Sequence, residues 1–303
     1  MKRLYKNILL FILPVALAIF FIPMNTRLKY IGLRNECFDH AILLYDRSHN
    51  NPEPVDIAFF GSSRTINGID DTLIQNKFNN RKHVFNFGYC TLGQNIYYTL
   101  LKTVLEGKKI ETVVLEVREE EDRYSHNMFP FIADTKDVLG SPLLFNRDYF
   151  VDIENHFLYK IELFQDITFG RIKQSLHRME NYGYATGANK ADTAFLNSIK
   201  QANNVPVKEL IELETNFHMK YPRSYLAKLS EMCKEKKVKI IFLYLPSYGY
   251  YAKPKEYDTY IKYGKVILPP REILDKKENW SDEQHLNITG ASELSIWLVN
   301  HLL

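Results

Sequence analysis

The sequence predicts an α/β fold in which a parallel sheet carries helices on both faces, and three observations lead there. Apolar runs at 55–60, 84–88, 112–117 and 239–245 read as buried strands. Helix-like stretches at 69–78, 94–105 and 221–236 fall between them, and strands alternating with helices imply parallel pairing. At 303 residues the chain is long enough for one large domain carrying an insertion.

Taken in order, Met1-Lys2-Arg3-Leu4-Tyr5-Lys6 is a basic lead-in to an uncharged, mostly apolar run at 8–24, interrupted by Pro14 and Pro23. At 1.5 Å per residue that run spans roughly 25 Å, a little less than a bilayer core. No small-x-small site follows it, so residues 1–25 are expected to form an uncleaved signal-anchor, with cleavage as the alternative. Lys2, Arg3 and Lys6 on one side nearly balance Arg27, Lys29 and Arg34 on the other. The form of the lead-in then places the N-terminus inside the cell and the bulk of the chain on the periplasmic or extracellular side. Residues 26–54 read as a juxtamembrane connection, and the domain occupies 55–303. Its regular alternation stops at about 119–205, a partly helical insertion expected to lean over the C-terminal edge of the sheet. Val266-Ile267-Leu268 reads as a short edge strand, and 289–302 as a closing amphipathic helix.

Composition removes several function classes. A net charge of +3 without a basic run gives no footprint for nucleic acid. Cys37, Cys90 and Cys233 lie at no metal-like spacing, which excludes a CxxC zinc site and a disulfide framework and leaves room for a single bridge. The histidines show no ligand pattern, and Gly61-Ser62-Ser63-Arg64 lacks the spacing and lysine of a phosphate loop. No metal or cofactor is expected.

The chemistry gathers at the two ends of the domain. The strand at 55–60 runs into Gly61-Ser62-Ser63-Arg64-Thr65 and then a helical pattern, the context that exposes a serine hydroxyl near backbone N–H groups. The plain alternative is a βα turn with serine as N-cap. Some 220 positions later, Trp280-Ser281-Asp282-Glu283-Gln284-His285-Leu286-Asn287 precedes the last helix. Asp282 and His285, three apart, can pair one imidazole nitrogen with a carboxylate and leave the other for a nucleophile. Alone, each half is weak: Asp282 can simply precede a helix and His285 can lie on the surface.

Together these motifs resemble the SGNH (GDSL-like) hydrolase superfamily, over about residues 55–303. The resemblance implies a flavodoxin-like three-layer α/β/α sandwich, with the nucleophile after the first strand and the acid and base near the C-terminus. Gly61-Ser62-Ser63 matches the family's Gly-Asp-Ser with Ser62 in the Asp position, which makes Ser63 the nucleophile, His285 the base and Asp282 its partner. In the second family block Asn86-Phe87-Gly88 fits, but the next glycine is Gly93, and either glycine is a candidate oxyanion donor or merely allows a tight turn. The third block departs: Leu115-Glu116-Val117-Arg118-Glu119 has no asparagine. Asn95 and Arg118 are candidate substitutes, against helix-face polarity for one and a salt bridge for the other. Arg64 is a candidate for holding a substrate carboxylate or phosphate, or for pairing with the acids at 119–122.

The Gly-Ser-Ser form with an N-terminal anchor is similar to membrane-anchored, export-side members that serve surface-polymer acylation, such as alginate O-acetylation or teichoic-acid D-alanylation. The expected function is thus a serine esterase or O-acyltransferase acting on acyl esters of a cell-surface or exported glycan. The resemblance also implies a membrane partner that exports the acyl group. Two other readings stand beside it: an inactive glycan-binding or assembly subunit using the Tyr-rich stretch 248–263, and a lipid or thioester hydrolase.

Overall fold

A computed structural model describes residues 2–20, 22, 24–33, 37–121, 123–171, 186–203 and 211–302. Five parallel strands form its sheet: β1 (Ile57–Phe60), β2 (Val84–Asn86), β3 (Thr112–Val117), β4 (Lys239–Tyr244) and β5 (Lys265–Ile267), in the order β2-β1-β3-β4-β5. The order reverses between β1 and β3, so the connections leave these strands toward opposite sides and a crevice opens beyond their C-terminal ends.

The strands are apolar throughout because both faces are covered. Ala58, Phe60, Val113, Leu115 and Phe242 pack with Ile96 and Leu100 of the helix Gln94–Gly107 and with Leu226 and Leu229 of the helix Glu212–Lys236. Their neighbours Ile57, Phe59, Val114, Ile241 and Leu243 face the other way, into a layer holding Ile74 of the helix Asp71–Lys77 and Leu294 and Leu298 of the helix Ile288–Val299. The period-2 alternation of a strand thus separates two cores and gives three layers.

Several expectations change in detail. The helical stretch expected at 69–78 is two helices, Ser63–Gly68 and Asp71–Lys77, because the Asp70 side chain accepts from Leu73 N–H at 2.8 Å and starts a new helix. Residues expected as a juxtamembrane connection form the helices Thr26–Ile31 and Cys37–Tyr45, and Tyr30, Leu33, Ala41 and Leu44 are buried in the first core. The insertion begins with Phe129–Ile132, Thr135–Leu139 and Tyr149–Thr168, helices that pack beside the Gln94–Gly107 layer. Its helix Thr193–Asn203 lies by the C-terminal strand ends, with Leu196 buried in the second core. The Tyr-rich stretch divides: Tyr248 packs edge-on against buried Trp280 and Tyr260 lies against Phe242, whereas Tyr250 lines a hollow and Tyr251 is exposed.

At the N-terminus Lys2–Phe20 is helical with Pro14 inside, but the expected transmembrane helix is not found: among the described residues no helix is long and apolar enough to cross a membrane. Lys2, Arg3 and Lys6 fall within this helix, and the remaining turns rise roughly 21 Å. Phe21, Pro23, Arg34 and Asp122 lie outside the described residues. Cys90 is disulfide-bonded, whereas Cys233 is free and buried.

Leu294, fully buried, joins the closing helix to the second core. Leu294→Ala is expected to lower stability by about 2–5 kcal/mol, read as a shifted urea midpoint with an unchanged m value.

Candidate active site

β1 ends at Phe60, and the chain must turn at once into the helix Ser63–Gly68. Gly61 makes this turn possible, since a Cβ there would stand 1.8 Å from Thr65 Oγ1 and 2.5 Å from Glu116 Oε2. Ser62 is the N-cap, with its Oγ accepting from Arg64 N–H at 3.0 Å. Ser63 therefore opens the first helical turn, and its Oγ is the exposed hydroxyl. The N-cap and the nucleophile candidate are two adjacent serines.

Asp282 and His285 do not sit on a helix. They occupy a short loop pinched between Trp280 and Leu286, which pair as an isolated antiparallel bridge. Ser281 closes it by donating N–H to the His285 carbonyl at 2.9 Å. Below, Asn287 caps the helix Ile288–Val299, accepting from Thr289 N–H at 3.0 Å and Gly290 N–H at 3.2 Å. Inside the loop the Asp282 carboxylate accepts from Gln284 N–H at 2.7 Å and His285 N–H at 2.8 Å. It also lies 2.8 Å from His285 Nδ1, and His285 Nε2 is 2.8 Å from Ser63 Oγ. A carboxylate on Nδ1 places the ring hydrogen there and leaves Nε2 to accept the serine proton. Burial raises the Asp282 carboxyl, but the imidazole and the two backbone donors outweigh it and hold it below its ordinary value.

The turn is secured from β3 by Glu116, whose carboxylate is 1% exposed. Ser62 N–H (2.7 Å), Ser62 Oγ (2.6 Å), Thr65 N–H (3.1 Å) and Thr65 Oγ1 (2.6 Å) all donate to it. Arg118 Nε donates from the other side at 2.7 Å, and a second guanidinium nitrogen donates to Ser62 Oγ. Burial pushes Glu116 up, but Arg118 and the hydroxyls of Ser62 and Thr65 overcome this and keep it ionised below the ordinary range. Glu116 is not among the residues that the sequence motifs single out. The available signal was a lone carboxylate in an otherwise apolar strand, Thr-Val-Val-Leu-Glu-Val.

The remaining candidates separate by where their polar groups point. The Gly88 N–H donates to Asn86 Oδ1 at 2.8 Å, so it is engaged inside the turn. Asn95 is buried and committed to Ser125 Oγ (2.9 Å) and Tyr221 OH (3.0 Å), away from the nucleophile. Gly93 is the extended N-cap of the helix Gln94–Gly107 and lies against His126. Arg64 pairs with Glu119 at 2.9 Å and donates to the Leu245 carbonyl at 2.7 Å, which ties β1 to the loop after β4. Burial and the Arg64 guanidinium act oppositely on Glu119, and with Ser247 N–H the net effect holds its carboxyl low.

Ser63, Arg64, Thr91, Leu92, Arg118, Glu119, Glu120, Glu121 and Gln284 surround an open crevice of about 480 Å³. A second hollow of about 320 Å³ shares Arg64, Glu119, Glu120 and Gln284 with it and extends to Asn203, Ser247 and Tyr250. Among the described residues no group of histidine, cysteine and carboxylate side chains is arranged to hold a metal ion.

No protein-family model matches this chain, and no curated protein does. Among solved structures, one from Streptococcus pneumonia titled as a "putative platelet activating factor" aligns over 88% of this chain and 92% of its own, with 14% identity and a TM-score of 0.42. That distance carries nothing about function.

Glu116→Gln keeps the shape, removes the charge and leaves the half-buried Arg118 without its nearest counter-ion, so the folded state is expected to lose about 3 kcal/mol. Because the folded Glu116 titrates below its unfolded value of 4.5, its stabilisation is complete above that pH and disappears as the pH falls through the folded value. Wild-type stability, followed by denaturant titration, should therefore decline more steeply in acid below about pH 4.5 than that of Glu116→Gln.

Proposed function

We propose that this protein is an SGNH-type serine esterase or O-acyltransferase acting on an acyl ester of a surface or exported glycan. One observation carries the reading: Ser63 Oγ, His285 and Asp282 form a continuous relay with links of 2.8 and 2.8 Å at the mouth of the crevice. Helices positioned for packing alone have no need to join a serine at one end of the domain to an Asp–His loop at the other. The strand order and the serine directly after β1 also support the flavodoxin-like form of the sandwich.

In this reading Ser63 Oγ attacks the acyl carbonyl while His285 Nε2 takes its proton, and Asp282 steadies the imidazolium. The carbon–oxygen bond to the leaving alcohol breaks as His285 returns the proton to that oxygen. Water then releases the acyl group as the free acid, or a sugar hydroxyl accepts it. The Ser63 N–H has no protein acceptor among the described residues and serves the oxyanion. Arg118, held by Glu116 and lining the crevice, takes the place of the missing third-block asparagine.

A site on the oxidising side of a membrane agrees with the disulfide at Cys90. Exposed Leu10, Phe11, Ile12, Leu13 and Leu17 in the N-terminal helix favour membrane association of that segment. The polar crevice, continued toward Asn203 and Tyr250, suits an extended hydroxyl-bearing substrate better than an acyl chain, which favours a glycan over a lipid.

A fluorophosphonate probe should label the wild type but not Ser63→Ala. Absence of labelling on folded wild-type protein would sink the proposal. With an acetyl ester as substrate, Asp282→Asn is expected to lower kcat by about 10⁴-fold.

A further inference from the structure

Between β2 and the helix Gln94–Gly107 the chain passes through Cys90-Thr91-Leu92-Gly93, and Thr91 and Leu92 line the crevice beside Ser63. Thr91 has φ +55°, a left-handed conformation that a β-branched residue rarely adopts. Something must hold it there. The insertion supplies His126, which is 2% exposed. Met128 N–H donates to His126 Nδ1 at 3.1 Å, so the ring hydrogen resides on Nε2. That Nε2 lies 2.6 Å from the Cys90 carbonyl and 2.6 Å from Thr91 Oγ1, and its single hydrogen is shared between them. Burial keeps the imidazole neutral, with its pKa pushed down to about 4. The His126 backbone is itself fixed, its N–H donating to Asn95 Oδ1 at 3.3 Å, while Asn95 is bonded to Tyr221.

Acyl transfer through Ser63 needs more than one donor aimed at the developing oxyanion. The Gly88 N–H is engaged by Asn86 and the Asn95 amide by Ser125 and Tyr221. Thr91 and Leu92 retain backbone N–H groups with no acceptor among the described residues, in a loop that leads into the helix Gln94–Gly107, whose N-cap makes no side-chain bond. The positive end of that helix adds to the potential of the loop.

We propose that His126 is the positioning residue that locks the Thr91–Leu92 loop in its left-handed form beside Ser63, in the loop where the second family block carries its oxyanion donor. The proposal rests on the serine acyl chemistry proposed above. It gives the insertion a part in the reaction: it supplies the side chain that shapes the site, although that side chain touches no reacting atom.

The test compares the full chain with His126→Leu and His126→Gln, using an acetyl ester for turnover and a phenylboronic acid, whose tetrahedral adduct fills the oxyanion position. His126→Leu should lower kcat on the order of 10²-fold with KM changed less than about twofold. Boronate inhibition should weaken by a similar factor. His126→Gln, which keeps an N–H near the Nε2 position, should recover to within about tenfold of wild type. If His126→Leu does not fold, judged by its thermal transition, Thr91→Val removes the hydroxyl half of the contact and should lower kcat about tenfold. Folded His126→Leu with kcat within about threefold of wild type and unchanged boronate affinity overturns the proposal, and so does the same result for Thr91→Val where it is the variant used. Fluorophosphonate labelling of wild-type Ser63 separates the two levels. Labelling with an unmoved variant overturns the loop assignment alone, whereas no labelling removes the acyl chemistry beneath it.

Discussion

The Glu116 carboxylate is the contact on which the rest of the site depends. A charged side chain in the middle layer of a parallel sheet is costly unless its lone pairs are filled, and here both oxygens are filled by the turn that carries Ser63. The desolvation penalty is offset by Arg118, and the outcome is geometric as much as energetic. Ser62 and Thr65 cannot rotate without stranding a buried charge, so Ser63 between them is held at one angle. Gly61 belongs to the same arrangement, because only hydrogen fits where Thr65 and Glu116 close in.

Around that fixed point the topology brings together parts that are far apart in the chain. β1 lies between β2 and β3, where the order of the sheet reverses, and the loops after β1, β2, β3 and β4 meet over its C-terminal end. The Arg64–Glu119 pair and the Arg64 bond to the Leu245 carbonyl join three of these loops. The helix Ile288–Val299 packs in the second core beside the helix Ser63–Gly68, and the pinched loop before it delivers His285 to Ser63. Both halves of the relay rest on the same face of the sheet: the helix Ser63–Gly68 packs against Ile288–Val299, and Ile69, Leu286 and Leu294 share the second core.

The site is polar and its charges are mostly paired. Glu119 is held by Arg64, Glu120 by Lys255 and Glu116 by Arg118, so the crevice offers hydrogen-bonding groups more than a net field. The insertion contributes at two places, through His126 behind the Thr91 loop and through Asn203 at the far end of the groove.

Much of this was legible in the order of residues. Apolar runs set the four principal strands to within a residue or two, because a strand buried on both faces has no choice of composition. The Gly-Ser-Ser turn and the Asp-x-x-His spacing named Ser63, Asp282 and His285, since local spacing determines what one loop can offer. The sequence could not show which N–H groups are spent. Gly88 is engaged locally by Asn86, but Asn95 looked available until the fold placed Tyr221 against it, and Glu116 and His126 gained their roles only through contacts 54 and 35 positions away. Hydrogen-bond capacity belongs to each residue, but its partner is decided by tertiary approach. The residues that meet at Ser63, His285 and Asp282 are therefore legible in the chain, while the shape of the site around them is a property of the folded molecule alone.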